Sequence, residues 1–128
     1  MDTDSDATQA QGTSSGPKVI RANQFVLEDA TGTARAALGV SEHGPKLVLR
    51  DATGMTRAAL GVGKDGRPWL LLLDAKGTVR TWIGEAKYGP RLLLADANGT
   101  TRAALGVSEH GPSLLLLDAK GKTIWSPR

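Results

Sequence analysis

Arg, Glu and His stand together in RAALGVSEHGP, Arg35–Pro45, and the same eleven residues recur at Arg102–Pro112. An imidazole beside a carboxylate is raw material for general acid–base catalysis, and with further donors it can hold a metal. A catalytic base needs a partner to orient it, and a metal needs three or four converging ligands. Each stretch offers one pair, Glu42–His43 or Glu109–His110. Only a symmetry axis that gathers loops from several chains would raise that to a ligand set. Both pairs are therefore expected to be turn residues, in a protein with no catalytic residue, no cofactor and no metal.

Other chemistries are thinly represented. The chain has no Cys, which excludes disulfides, thiolate metal sites and a Cys nucleophile. No G-x-S-x-G, P-loop or dinucleotide fingerprint occurs. GVGKDGRP has Gly and Lys but not the P-loop spacing, and reads as a longer turn. The 16 Lys and Arg against 13 Asp and Glu give a net charge of +3, and the basic residues are spread at intervals. A dedicated nucleic-acid binder would cluster them. Aromatics make up 4%, few for a flat-ligand pocket or a base-stacking platform.

The elements that would position these groups repeat. Asp-Ala-x-Gly occurs at Asp29–Gly32, Asp51–Gly54, Asp74–Gly77, Asp96–Gly99 and Asp118–Gly121, at spacings of 22, 23, 22 and 22. The extra residue falls in GVGKDGRPW, where other units read GVSEHGPK or GVSEHGPS. Six residues after the Asp stand Arg35, Arg57, Arg80 and Arg102, with Ile124 in the fifth unit. Ten after it come Gly39, Gly61, Gly84 and Gly106. The two identical stretches lie 67 residues apart, or three units, a spacing that fits three-fold geometry or recent duplication. VIRANQFVLED and KTIWSPR resemble half-units capping the array.

Each unit predicts a hairpin. In KLVLRDATGMTRAALGV, Lys46–Val62, the run LVLR is short and bounded by Pro and Gly, which favours a strand. Asp opens the turn by accepting backbone N–H bonds. Gly at the fourth position supplies the positive φ of a type I turn with a bulge. MTRAALGV returns, because two Gly-bearing turns this close leave no room for a useful helix. SEHGP turns the chain again, and Pro45 suits the mouth of a strand. Five units predict about ten strands in an up-and-down all-β meander.

Leu70–Leu73 and Leu114–Leu117 are runs of four leucines. Strand neighbours point to opposite faces, so these strands are apolar on both sides and both faces need cover. No helix is expected to provide it. Two closures compete. One is a monomeric ten-stranded barrel, whose width would leave a ligand cavity. The other is an oligomeric β-prism or solenoid, most simply a homotrimer, with leucines inside; it is the preferred reading.

Repetition also weighs on the charged columns. A row of sites for glycans or phosphates would use Arg35, Arg57, Arg80 and Arg102. The plainer reading has each Asp capping its turn and each Arg crossing to a carboxylate of the neighbouring unit. A catalytic site is normally unique, and these positions recur four or five times. Trp69, Trp82 and Tyr88 break the repeat and are candidate interaction residues, although local core filling or subunit packing is the preferred reading. Trp125 is expected to cover the apolar end of the last unit.

Residues 1–18, MDTDSDATQAQGTSSGPK, are too polar to offset the entropy of ordering and read as a disordered tail, leaving 19–128 as the repeat domain. The tail has no basic n-region or apolar h-region, and no apolar run reaches membrane-spanning length. A cytoplasmic protein is the default expectation, with release by a route that needs no signal peptide as the alternative, and with no membrane or nucleic-acid partner.

The unit L-x-L-x-D-A-x-G-x-x-R-A-A-L-G-V and the ending KTIWSP carry a resemblance over residues 19–127. The chain resembles uncharacterised bacterial β-hairpin repeat proteins in which D-x-x-G-x-x-R-A-x-L-G-V recurs and the chain ends near I-W-x-x-P. By architecture alone it is similar to the trimeric β-prism stalks of phage fibres. The resemblance implies no activity. The expectation is a non-enzymatic structural or interaction module forming a homo-oligomer. The alternative is a small binding protein, either an apolar-ligand barrel or a repeat lectin using its Arg/Asp face.

Overall fold

The computed structural model describes residues 16–127. Most of the expected disordered tail, residues 1–15, lies outside them, as does Arg128. Ten strands follow in chain order: β1 Gln24–Glu28, β2 Ala34–Ser41, β3 Gly44–Arg50, β4 Thr56–Val62, β5 Pro68–Leu73, β6 Val79–Ala86, β7 Gly89–Ala95, β8 Thr101–Ser108, β9 Gly111–Leu117 and β10 Thr123–Trp125. Each pairs antiparallel with the next in a single sheet, and the described residues contain no helix.

The sheet is open, with β1 and β10 as its two edges, so the barrel alternative is not what this chain forms. Closure requires the two ends to pair. β10 has three residues and an irregular register against β9, and offers β1 little to pair with.

One turn type joins the hairpins at the Asp end. In the second unit Gly54 N–H donates to the Asp51 carbonyl at 3.0 Å, and Asp51 N–H donates to the Met55 carbonyl at 2.9 Å. Gly54 has φ +86°, which an L side chain adopts only under strain. This is a type I turn closed by a Gly bulge. A second irregularity follows, since Arg50 pairs with Thr56 but Leu49 with Ala58, which leaves Arg57 as the extra residue of β4. The turns at Asp29, Asp74, Asp96 and Asp118 repeat the bonds.

The other end uses a shorter connection. Ser41 pairs with Gly44, leaving Glu42 and His43 as the loop. No described residue other than Gly has positive φ, so this is not the mirror-image turn that usually closes a two-residue hairpin. Gly44 absorbs the distortion at φ +109°. The 23-residue spacing is explained here. With one more residue, Gly63 and Gly66 make the same bond pair as the Asp turns, and Asp65 Oδ1 accepts from Arg67 N–H at 3.1 Å.

Register separates two unlike faces, because cross-strand partners share a face. One face carries the row Phe25, Leu38, Leu47, Leu60, Leu70, Ile83, Leu92, Leu105, Leu114 across β1–β9. Flanking rows add further Leu, Ala, Val and Pro. We call it the bare face. The other, mixed face has a central row that includes Ala37, Val48, Ala59, Leu71 and Trp82, and beside it a row of Gly alternating with Lys46, Trp69 and Arg91. Val48, Ala37 and Ala59 are buried on this face. The two faces differ in how much cover they need, since long side chains flank the apolar row of the mixed face.

A pair of Gly substitutions separates backbone strain from crowding. A Cβ at Gly111, with φ +111°, would meet nothing within 4 Å, whereas one at Gly44 would collide with the Val62 carbonyl oxygen of β4. Gly111→Ala is expected to cost about 1–2 kcal/mol from positive φ alone. Gly44→Ala should cost more, because its close approach to Val62 of β4 must also open. Urea unfolding gives the order, and equal losses would remove the close approach from the account.

Candidate functional site

The Asp and Arg columns form a chain of staples. Asp51 Oδ1 accepts from Thr53 N–H at 3.0 Å, Met55 N–H at 3.1 Å and the Thr53 hydroxyl at 2.6 Å. Its other oxygen lies 3.6 Å from Arg57 Nη1. Arg57 Nε then donates to the Leu73 carbonyl at 3.0 Å, just ahead of the next turn Asp, Asp74. Arg35, Arg80 and Arg102 repeat this, donating to the carbonyls of Arg50, Ala95 and Leu117. Each Arg pairs with the carboxylate of its own turn, at 3.4–3.7 Å, and not with that of the neighbouring unit as the sequence suggested. Its reach to the neighbour ends on a backbone oxygen, and the Arg that makes it is the extra residue in the register of its own strand.

These bonds favour the charged carboxylate. The Thr31 hydroxyl, the Thr33 and Thr31 N–H groups and Arg35 draw Asp29 down from its ordinary 3.8 to about 2. Asp51 is lowered, chiefly by the Thr53 hydroxyl. Asp74 is lowered, chiefly by the Thr78 N–H. At Asp96 partial loss of water pushes upward, but the N–H groups of Thr100 and Asn98 together with Arg102 outweigh it. Donors that serve the turn explain every shift, so none marks a proton-transfer site.

The Glu–His pairs lie in the open. His43 Nε2 is 3.4 Å from Glu42 and His110 Nε2 is 3.6 Å from Glu109, with all four side chains more than four-fifths exposed. Among the described residues no three His, Asp or Glu side chains converge as metal ligands. Of the aromatic candidates, Tyr88 sits in the Lys87–Tyr88 turn with the Lys87 ammonium 5.1 Å from its ring centre. Trp125 lies opposite Leu116 in β10 and remains half exposed.

Trp69 and Trp82 are brought onto the mixed face. Trp69 pairs with Gly61 on one side and Gly84 on the other. Its indole takes the space that a side chain at Gly61 would fill, and the Trp82 indole does the same at Gly84. Lys46 and Arg91 stand beyond them in the same row, a grouping invisible until the register is known. The bare face holds a trough of about 670 Å³ lined by Leu60, Leu70, Ile83, Leu92 and Leu105, with Glu85 at its rim. Between the bulges and the outer turns Glu85 is the one charged residue of that face, standing where other units have Val40, Val62 and Val107.

No protein-family model matches the chain, and no curated protein matches its sequence. Among the described residues no helix is long and apolar enough to cross a membrane.

The depressed carboxylates predict a pH dependence. Unfolded Asp titrates near 3.9. Below about pH 4 the unfolded chain takes up protons that the folded turns refuse, so their stabilisation is complete above that point and lost as pH falls through each lowered value, which for Asp29 is about 2. The melting temperature should hold from pH 7 to about 4.5 and then drop toward pH 2. A flat profile to pH 2 would contradict the role of the Asp column.

Proposed function

We propose that the protein is a non-enzymatic structural or interaction module that self-associates by covering its bare face with the same face of further copies. Three copies around one axis, forming a β-prism, is the expected arrangement. One observation carries the reading. Leu38, Leu60, Ile83 and Leu105, in the middle of the bare face, are 43–51% exposed, and no large side chain among the described residues is fully buried.

Sheets of this kind do not stand alone. Ten strands about 4.8 Å apart make the face about 43 Å long. An apolar patch of that extent exceeds what monomers ordinarily leave in water. Covering each half-exposed Leu, Ile or Val gains on the order of 1 kcal/mol. About a dozen such side chains match the scale of the roughly 4–15 kcal/mol lost when chains associate. Assembly through this face also leaves the Asp–Arg staples and the Glu–His turns at the two margins of the sheet, in water. The apolar-ligand barrel has no support in an open sheet. A lectin built on the Arg/Asp columns is disfavoured, because those groups already satisfy each other and the turns.

Light scattering after size exclusion tests the reading. The expected mass is three times the 13.4 kDa of one chain, and it should resist dilution. Leu60→Lys, which places a charge at the centre of the bare face, should lower the mass. A clean single-chain mass for the unaltered protein would overturn the proposal.

A further inference from the structure

We propose that the mixed face carries a binding platform for an acidic polysaccharide, formed by Trp69 and Trp82 between Lys46 and Arg91. It lies on the opposite side of the sheet from the proposed contact between copies and does not depend on it.

The platform is a consequence of register. Lys46, Gly61, Trp69, Gly84 and Arg91 are successive cross-strand partners on β3 to β7. Each glycine makes room for a ring, Trp69 at Gly61 and Trp82 at Gly84. The two glycines are two strands apart, which sets the rings about 10 Å from each other. Both indoles are half-buried, held from one side by the sheet and open on the other. They are fixed before any ligand arrives, so little side-chain entropy is lost on binding.

The surroundings specify the ligand. Lys46 and Arg91 are exposed, and their side chains make no ion pair or hydrogen bond among the described residues. Hollows of about 510 and 490 Å³ share Lys46 and Trp69 in their walls. Their neutral polar groups include Asn23, Gln24 and Ser41. The carboxylate among their lining residues, Asp65, is 3.4 Å from Arg67. An indole face suits the C–H side of a sugar ring, and amides and hydroxyls suit its OH groups. Free Lys and Arg suit a carboxylate or sulfate on the polymer. Single-stranded nucleic acid would also stack on the rings, but it needs a basic groove that follows its backbone. The hollows are lined by Lys46, Lys64 and Arg50 with neutral groups between them, and Arg91 stands at the far end of the row, a sparser charge than such a groove needs.

Polygalacturonate titrated into the full-length protein tests this, read by emission of the Trp residues, three in number. Binding with a change in emission is expected. Fully methyl-esterified polygalacturonate, with the same backbone and no charge, should bind at least tenfold more weakly, as should oligothymidylate. Trp69→Ala should abolish binding with the oligomer mass unchanged. Should that variant fail to fold, Lys46→Gln with Arg91→Gln, two exposed positions, decides by an expected loss of tenfold or more. The proposal is overturned by no binding of polygalacturonate, equal binding of the esterified polymer, tighter binding of oligothymidylate, or an undiminished double variant.

Discussion

A long antiparallel meander must fix its register one hairpin at a time. A slip of one residue would move every side chain of a strand to the opposite face. The Asp carboxylate prevents this. Asp51 gathers two N–H groups and a hydroxyl across one turn, and Gly54 closes that turn with its positive φ. Arg57 then ties that turn to the carbonyl ahead of the next one. The local bond thereby becomes a spacer between hairpins. In the fifth unit Ile124 replaces the Arg, and there the sheet ends in a three-residue strand.

Fixed register has a consequence for packing. It aligns the leucines of successive strands into rows on one face and places the Gly row on the other. The mixed face shields its central apolar row with Lys46, Trp69, Arg91 and the turn arginines. The bare face has nothing comparable. Leu60 and Leu105 stay about half exposed while small residues such as Ala37 and Ala59 are the buried ones. A chain that orders ten strands yet fully buries no large side chain is short of hydrophobic stabilisation. The proposed cover is more copies of the same face, whose rows would match by symmetry.

Much of this was legible in the sequence because its cause is local. The Asp-x-x-Gly spacing gave away the five turns, the Gly-Pro pairs marked strand starts, and the extra residue in GVGKDGRP showed itself as a different turn. What the sequence hid depends on which residues stand opposite each other. LVLR and LLLL look alike on both sides, and only pairing shows that Leu70 meets Leu60 and Ile83 while Leu71 meets Ala59 and Trp82. The arginines reach a backbone oxygen, which carries no letter in the sequence. Gly61 and Gly84 read as weak strand residues until Trp69 is seen between them. A mean aromatic content of 4% likewise concealed that two Trp residues share one patch.

The absence of Cys permits a direct test of the bare face. A single Cys can be placed at Leu60, in the middle of that face, or at Ser113, exposed in the Gly row of the mixed face. Rates of maleimide labelling would be compared in native and urea-unfolded protein. The account predicts that Leu60→Cys is protected tenfold or more until the protein unfolds, while Ser113→Cys reacts freely throughout. Equal native rates at the two positions would mean that the bare face meets water, and would contradict assembly through it.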